Sequence, residues 1–311
     1  MIFLLLAFFG AMFMAWTVGA DCASPSFGPV VSSRSLGVLR SSLLTGVSAF
    51  LGSVLQGSEV TKSLSQGYVR GVAFDLKSSA IILIISSALI AIGIWRHYPM
   101  PTAYVLVGAV LGGGLSLGGE FNLEQFSFVL TYWVLMPLVA GVIGYLVSKL
   151  LRKTIERGSR AEKLIQPIMI LVGSYTAYTA GAASVGQAVG PLFQTTSLDM
   201  TTLLIVGGIG ILIGAWTGSP KIIHAVARDF ADIGPRRSIA ALAGTSILAQ
   251  VAAMLGIPIS FNAAILGGVI GSGFVSSEKN IGFEKVVRTG FNWVLSFFLS
   301  FGLVFLITKL I

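Results

Sequence analysis

Apolar runs of about twenty residues, separated by short polar stretches, recur along the whole chain. Because the hydrocarbon core of a bilayer is crossed by about 20 residues of helix, each run predicts a membrane segment. We expect two of these segments, near 98–118 and 257–275, to be half-helices or hairpins that turn back inside the protein. The full set of predicted segments is 1–21, 41–57, 74–95, 98–118 and 125–150 in the first half, and 165–189, 200–217, 238–255, 257–275 and 288–311 in the second.

The composition agrees with this pattern. Of the 311 residues, 55% are hydrophobic and only 10% are charged, and the mean hydropathy is +0.90. Soluble domains carry about a quarter charged residues, so the composition indicates an all-α integral membrane protein. The formal charge is +8, but the basic residues lie in loops between apolar runs, where they indicate topology and not a nucleic-acid partner. A single cysteine, Cys22, excludes an intrachain disulfide, and we expect no metal site and no cofactor.

The chain repeats itself at intervals of 159 to 162 residues. A first motif, Gly19–Pro29, and a second motif, Gly181–Pro191, both open with Gly-Ala and close with Gly-Pro. Trp-Val-Leu recurs at positions 133–135 and 293–295, and two Gly-x-x-x-Gly patterns recur at 108–112 and 267–271. We interpret the Gly-x-x-x-Gly glycines as sites of close helix packing.

An odd number of segments in each half predicts that the halves are inserted in opposite orientations. With an external N-terminus, the loops predicted inside hold sixteen of the twenty Lys and Arg residues. Two predicted outside loops, 119–124 and 190–200, hold only acids: Glu120, Glu124 and Asp199. The positive-inside rule therefore predicts external N- and C-termini. The predicted organisation is a first inverted repeat at 1–150, a cytoplasmic linker at 151–164 and a second inverted repeat at 165–311.

Paired Gly- and Pro-containing segments at corresponding places in two halves are the best sequence pointer to a transporter's binding site. We expect both motifs to break their helices and to free backbone N–H groups that hold an ion. Asp21 is the one acid that lies within a site-like motif. Intramembrane acids are costly and usually functional, so we expect Asp21 to take part in cation coupling, with a helix-capping role as the alternative.

The remaining candidates carry neutral hydrogen-bonding groups or exposed backbone around the predicted breaks. Such groups can hold an oxyanion without an opposite side-chain charge. For any single Ser or Thr the alternative is a hydrogen bond to its own helix. The candidate anion-binding residues are Cys22, Ala23, Ser24, Ser26, Thr102, Ser184, Val185, Gln187, Ser260 and Asn262.

The two motifs, the Pro-x-Ser/Thr segments and the Trp-bearing fifth segments resemble the inorganic phosphate transporter (PiT) family over essentially the whole chain. Members of that family typically read Gly-Ala-Asn-Asp-Val-Ala-Asn in both motifs, and the resemblance implies that the paired aspartates serve the phosphate and cation site. In this chain Asp21 and Cys22 stand at the Asn and Asp places of the first motif, and Ala183 and Ser184 stand there in the second. The Bacillus-type sulfate permease branch likewise lacks aspartate at those places. The resemblance also implies a homodimer.

The loss of both aspartates favours sulfate over phosphate. Phosphate near neutral pH keeps a proton that a buried carboxylate can accept, whereas sulfate has no proton to donate and is repelled by a carboxylate. We therefore expect a secondary active transporter that imports sulfate by alternating access, coupled to protons in preference to sodium. A phosphate symporter of the same family is one alternative, and a passive anion channel is another. An enzyme fits poorly, because no carboxylate pair offers acid–base chemistry.

Overall fold

The computed structural model describes residues 1–96, 100–155, 163–220, 223, 233–275 and 283–311. The described part is almost entirely helical, with one two-stranded antiparallel ladder that pairs Val69 with Phe121. Residues 156–162 of the predicted linker lie outside it. In chain order the elements are α1 Ile2–Ser32, α2 Val38–Gln56, α3 Ser58–Gln66, β1 Val69–Arg70, α4 Leu76–Trp95, α5 Thr102–Ser116, β2 Glu120–Phe121, α6 Leu123–Thr154, α7 Ile165–Phe193, α8 Met200–Thr217, α9 Pro235–Met254, α10 Phe261–Gly273 and α11 Phe283–Leu310.

Eight of these helices are long and apolar enough to cross a membrane, which confirms an all-α integral membrane protein. The other two apolar helices, α5 with 15 residues and α10 with 13, are shorter. At 1.5 Å per residue they are only about 20 Å long, and the hydrocarbon core is about 30 Å thick. The prediction of half-helices near 98–118 and 257–275 agrees with these lengths.

The prediction that both motifs break their helices is wrong. Helix α1 continues to Ser32 with Pro25 and Pro29 inside it, and α7 continues to Phe193 with Pro191 inside it. A proline removes one hydrogen bond from a helix, and helices packed on every side tolerate this loss inside a membrane protein. The motif residues are fully enclosed by neighbouring helices, so packing overrides the local breaking signal.

The first glycine of each motif lies against the backbone of the other half. A Cβ added to Gly19 would come within 2.0 Å of the Ile211 carbonyl oxygen in α8. A Cβ added to Gly181 would come within 1.9 Å of the Ala49 carbonyl oxygen in α2. Adding 162 to Gly19 gives Gly181, and adding 162 to Ala49 gives Ile211. The two contacts are therefore equivalent under the repeat, with the roles of the halves reversed.

The short helices show the same exchange. A Cβ added to Gly112 of α5 would come within 2.3 Å of the Phe301 carbonyl oxygen in α11. A Cβ added to Gly271 of α10 would come within 1.9 Å of the Gly141 carbonyl oxygen in α6. Each short helix thus packs on the last long helix of the other half. The interpretation of the Gly-x-x-x-Gly patterns as close-packing sites is confirmed, because only glycine permits these backbone distances.

Candidate anion site

Helices α1 and α7 pack against each other and carry the two motifs into the interior. Asp21 is 5% exposed, and it is the one charged side chain in the buried set of the described residues. The candidate residues of both motifs and of the two short helices are all buried: Cys22, Ala23, Ser24, Ser26, Thr102, Ser184, Val185, Gln187, Ser260 and Asn262.

The Asp21 carboxylate connects α1 to the starts of both short helices. Its Oδ2 accepts a hydrogen bond of 2.9 Å from Asn262 Nδ2, in the first turn of α10. The same amide nitrogen donates to the Met100 carbonyl oxygen at 3.0 Å, two residues before α5 begins. The other carboxylate oxygen of Asp21, Oδ1, is buried and has no hydrogen-bond partner in the described structure. Asp21 therefore lies where α1, α5 and α10 meet.

Cys22 and Ser184 meet across the interface between the two motifs. Their side chains lie within hydrogen-bonding range of each other, and both are almost fully buried. They are the residues that stand 162 positions apart at the two expected aspartate places. The structure thus brings two neutral donors, a thiol and a hydroxyl, close to each other beside Asp21.

Besides Asp21, three buried candidate side chains have polar atoms without a hydrogen-bond partner in the described structure. Both amide atoms of Gln187 are in this state although the residue is 0% exposed, and so are the hydroxyls of Ser24 and Ser260. A buried polar group that lacks a partner costs about 1–3 kcal/mol, so we expect a water or a ligand to satisfy these groups. Because Gln187 is one turn beyond Ser184 on α7, the two side chains share a helix face.

The helix N-termini near the site belong to the short helices and not to the motifs. Some amides of their first turns already donate to nearby backbone carbonyls, namely those of Thr102, Tyr104 and Ala263. No side chain caps the N-terminus of α5, which begins after Pro101, or of α10, which begins after Ser260. The first N–H groups of a helix lack intrahelical acceptors, and the helix dipole makes that end favourable for negative charge. The Asp21 side chain is linked through Asn262 Nδ2 to the start of α10 and to the Met100 carbonyl just before α5.

Several candidates do not present a polar side chain to the site. The Ser26 hydroxyl donates to the Cys22 carbonyl of its own helix at 2.8 Å, which is the alternative expected for a lone serine. Val185 packs its methyl groups against Gly57 and Gly207. Ala23 has no polar side-chain atom, and its amide lies inside a continuous helix. Thr102 is the first residue of α5, and it belongs to the site only because it lies at that helix N-terminus.

Sequence reasoning missed two features. The Met100 carbonyl was not a candidate, since a backbone group leaves no signal in a sequence. A polar chain between three helices was also missed: Gln250 Nε2 donates to Gln56 Oε1 at 2.9 Å, and the Tyr175 hydroxyl donates to Gln250 Oε1 at 3.1 Å. Only the tertiary fold brings these three residues together, because they are 75 or more positions apart.

Comparisons with known proteins agree on one class. The model of the phosphate transporter family matches residues 18–304. The chain is 28% identical to the sulfate permease CysP of Bacillus subtilis, over 96% of this chain and 86% of that protein. It is 25% identical to the chloroplastic inorganic phosphate transporter 2-1 of Arabidopsis thaliana, over 65% of this chain and 35% of that one. The solved structure of a sodium-dependent phosphate transporter has the same fold, with a TM-score of 0.90, 21% identity and full coverage of both chains.

Proposed function

Because this chain belongs to the phosphate transporter family, we propose that it is a secondary active transporter that imports sulfate together with a cation. The observation that carries the proposal is the buried, neutral and partly unsatisfied donor set formed by Ser24, Gln187 and Ser260 beside the Cys22–Ser184 contact. Its substrate is a dianion that accepts hydrogen bonds. The 28% identity to a sulfate permease supports the same choice.

The proposed preference for sulfate over phosphate depends on the absence of a carboxylate at Cys22 and Ser184. A carboxylate at Cys22 or Ser184 would accept the proton of hydrogen phosphate and repel sulfate, which has none to donate. A thiol and a hydroxyl donate to either anion, and they favour the one whose oxygens are all acceptors. A site built around one donor–acceptor match discriminates strongly, because the wrong ligand leaves a buried group unsatisfied.

Asp21 is the proposed coupling group. Its carboxylate is linked through Asn262 to the starts of α5 and α10, where an anion would be attracted, so a charged Asp21 and a bound dianion repel each other at close range. Protonation of Asp21 removes this repulsion and allows the anion to bind. Inward movement of net negative charge opposes the membrane potential by about 2.3 kcal/mol per charge per 100 mV, so the accompanying protons also lower that barrier. Sodium in place of protons is the alternative.

Alternating access is the proposed mechanism, with the two inverted repeats rocking about the anion. The exchange of contacts under a 162-residue shift, Gly19 on Ile211 and Gly181 on Ala49, supports a two-fold relation between the halves. External termini, a cytoplasmic linker at 151–164 and a homodimer in the cell membrane complete the proposal.

Uptake into proteoliposomes tests this function. Purified protein is reconstituted, a proton or a sodium gradient is imposed, and labelled sulfate uptake is measured with phosphate, thiosulfate and molybdate as competitors. We expect saturable uptake driven by the proton gradient and inhibited weakly by phosphate. Phosphate as the better competitor would favour the phosphate symporter. Uptake that saturates weakly and follows no cation gradient would indicate a passive anion channel.

A further inference from the structure

A groove on the outer surface of the helices starts beside the first turns of the short helices, at Tyr104 and Ala263, and extends away from the proposed anion site. It is a cavity of about 650 Å³ between α6, α10 and α11. Its base holds the aromatic rings of Tyr104, Trp133 and Trp293, and Tyr104 stacks on Trp133 at 4.1 Å. Its rim includes Leu138 and Val294, which are 63% and 51% exposed. Since α6 and α11 are both candidate membrane spans, the groove opens toward the lipid.

The length of the groove matches one leaflet. Its lining along α6 extends from Trp133 to Tyr145, twelve residues apart. Twelve residues of helix span about 18 Å, and half of the hydrocarbon core is about 15 Å. An extended acyl chain therefore fits along the groove with its headgroup at one end.

Two cations lie at the Tyr145 end. Lys149 Nζ is 5.9 Å from the centroid of the Tyr145 ring, one turn beyond the lining. Arg152 Nη1 donates at 3.0 Å to the carbonyl oxygen of Val275, the residue that follows Phe274 in the lining. Both side chains are exposed, and neither takes part in the ion pairs found among the described residues. A basic site between membrane helices is suited to an anionic lipid headgroup.

The corresponding positions of the second half are filled by aromatic rings. A shift of 160 residues relates Gly141 to Phe301 and Tyr145 to Phe305. Phe301 and Phe305 stack with their ring centroids 6.0 Å apart. A lysine stands at the end of both surfaces, Lys149 on α6 and Lys309 on α11. The stacked pair of phenylalanine rings is present only on the α11 surface. Gly141, which lines the groove, stands where the second half has Phe301.

We propose that this groove binds a phospholipid with an anionic headgroup, with one acyl chain between α6 and α11 and the phosphate beside Lys149 and Arg152. The positive-inside rule assigns this end of α6 to the cytoplasmic leaflet, where juxtamembrane basic residues meet anionic lipid. The proposal does not depend on which anion the protein transports.

Native mass spectrometry of the full-length protein tests the headgroup. Delipidated protein is titrated with phosphatidylglycerol or phosphatidylcholine, in the wild type and in the double variant Lys149→Gln with Arg152→Gln. At about 1 kcal/mol for each basic residue, we expect the double variant to bind phosphatidylglycerol roughly 10- to 30-fold more weakly. The control, Arg34→Gln with Arg40→Gln, removes the same charge from exposed positions on the same predicted cytoplasmic side, outside the helices that line the groove, and leaves binding unchanged. Equal binding of the two lipids by the wild type, or an equal loss in the control, would overturn the proposal.

Filling the groove tests the acyl chain. Gly141→Phe copies the second half, and Leu138→Trp fills the groove from an exposed position if the first variant does not fold. We expect both variants to lose phosphatidylglycerol and phosphatidylcholine alike. If instead they retain lipid and shift a dimer to monomer in the same spectra, the groove contacts a second copy of the chain and the lipid proposal is wrong.

Discussion

The two Gly-Ala motifs keep the same packing residues and differ in their polar residues. Gly19 and Gly181 each lie against a carbonyl oxygen of the other half, at positions that a shift of 162 residues exchanges. One motif continues with Asp21 and Cys22, while the other has Ala183 and Ser184. The backbone scaffold is therefore nearly symmetric and the chemistry is not. Two repeats can keep the same helix packing while only one of them carries a titratable group, here Asp21.

The largest effect is expected from the shared glycines. Gly19→Leu or Gly181→Leu puts a side chain where a carbonyl oxygen already lies within 2.0 Å, so the helices must separate. Overpacking of this kind costs about 1–3 kcal/mol or more, and we expect loss of monodisperse protein in size-exclusion chromatography. Gly302→Ala is the control, because an added Cβ there meets nothing within 4 Å. A stable, monodisperse Gly181→Leu protein would contradict the packing account.

The next effect separates the charged motif from the neutral one. Asp21→Asn keeps an acceptor for Asn262 but cannot carry a proton in and out, so we expect proton-driven sulfate uptake to be abolished while counterflow exchange persists. The measurement is uptake against exchange in proteoliposomes. Asp199→Asn, an acid at the exposed cap of α8, serves as control and keeps coupled uptake. Unchanged coupling in Asp21→Asn would refute its role.

Restoring aspartate tests the selectivity argument. Cys22→Asp combined with Ser184→Asp brings back acceptors for the phosphate proton, and we expect the ratio of sulfate to phosphate transport to fall by about tenfold or more. The ratio is measured as competition for uptake at a fixed gradient. Serine at Cys22 is the matched control, because it keeps a neutral donor and the sulfate preference. A sulfate preference that rises in the double variant would contradict the argument.

Gln187 distinguishes a ligand site from a structural one. Both of its amide atoms are buried without a partner, so Gln187→Leu removes a cost of about 1–3 kcal/mol from the empty protein. We expect the thermal stability without anion to stay the same or rise, and sulfate affinity to fall about tenfold, as one lost charge-assisted hydrogen bond predicts. A lower melting temperature with unchanged affinity would assign Gln187 to structure alone.

The smallest effect concerns the N-cap residues of two corresponding helices, α4 in the first half and α9 in the second. Asp75 caps α4 through a 2.8 Å bond from the Ser78 amide, whereas the corresponding cap of α9 is Gly234. We expect Asp75→Ala to cost about 1 kcal/mol of unfolding free energy and Asp75→Gly, the residue of the other half, only a few tenths. The measurement is denaturant unfolding in detergent. Equal losses in the two variants would show that the cap does not follow this rule.

The Asp75 cap also has a pH dependence with a definite sign. Burial alone raises the pKa of Asp75, but hydrogen bonds from the Ser78 hydroxyl and amide outweigh it, and the pKa lies below its ordinary value. A group with a depressed pKa stabilises the fold above its unfolded-state pKa, about 3.9 for Asp, and this contribution is lost as the pH falls through the folded-state pKa. The difference in stability between wild type and Asp75→Gly should therefore disappear in acid.

Much of the fold could be predicted because it depends on local chemistry. Ten apolar runs follow from length and hydropathy alone, and the structure has helices at all ten. The path of the chain through Pro25 and Pro191 could not be predicted, since the surrounding helices and not the local sequence keep those helices continuous.

The candidate site could be predicted in its composition but not in its geometry. Repeats and an intramembrane acid pointed to Asp21, Ser184 and Asn262, whose positions the structure connects through α1, α7 and α10. The uncapped N-termini of α5 and α10 and the Met100 backbone depend on how distant segments pack, which spacing along the chain does not encode.

The central claim is that an oxyanion binds between the two motifs at the starts of the short helices. A structure with selenate, an isosteric sulfate analogue with an anomalous signal, tests it most directly. The account predicts one selenium peak per chain, with its oxygens at about 2.7–3.2 Å from the side chains of Ser184, Gln187 and Ser260. A fully occupied peak elsewhere in the molecule, with these side chains still unsatisfied, would contradict it.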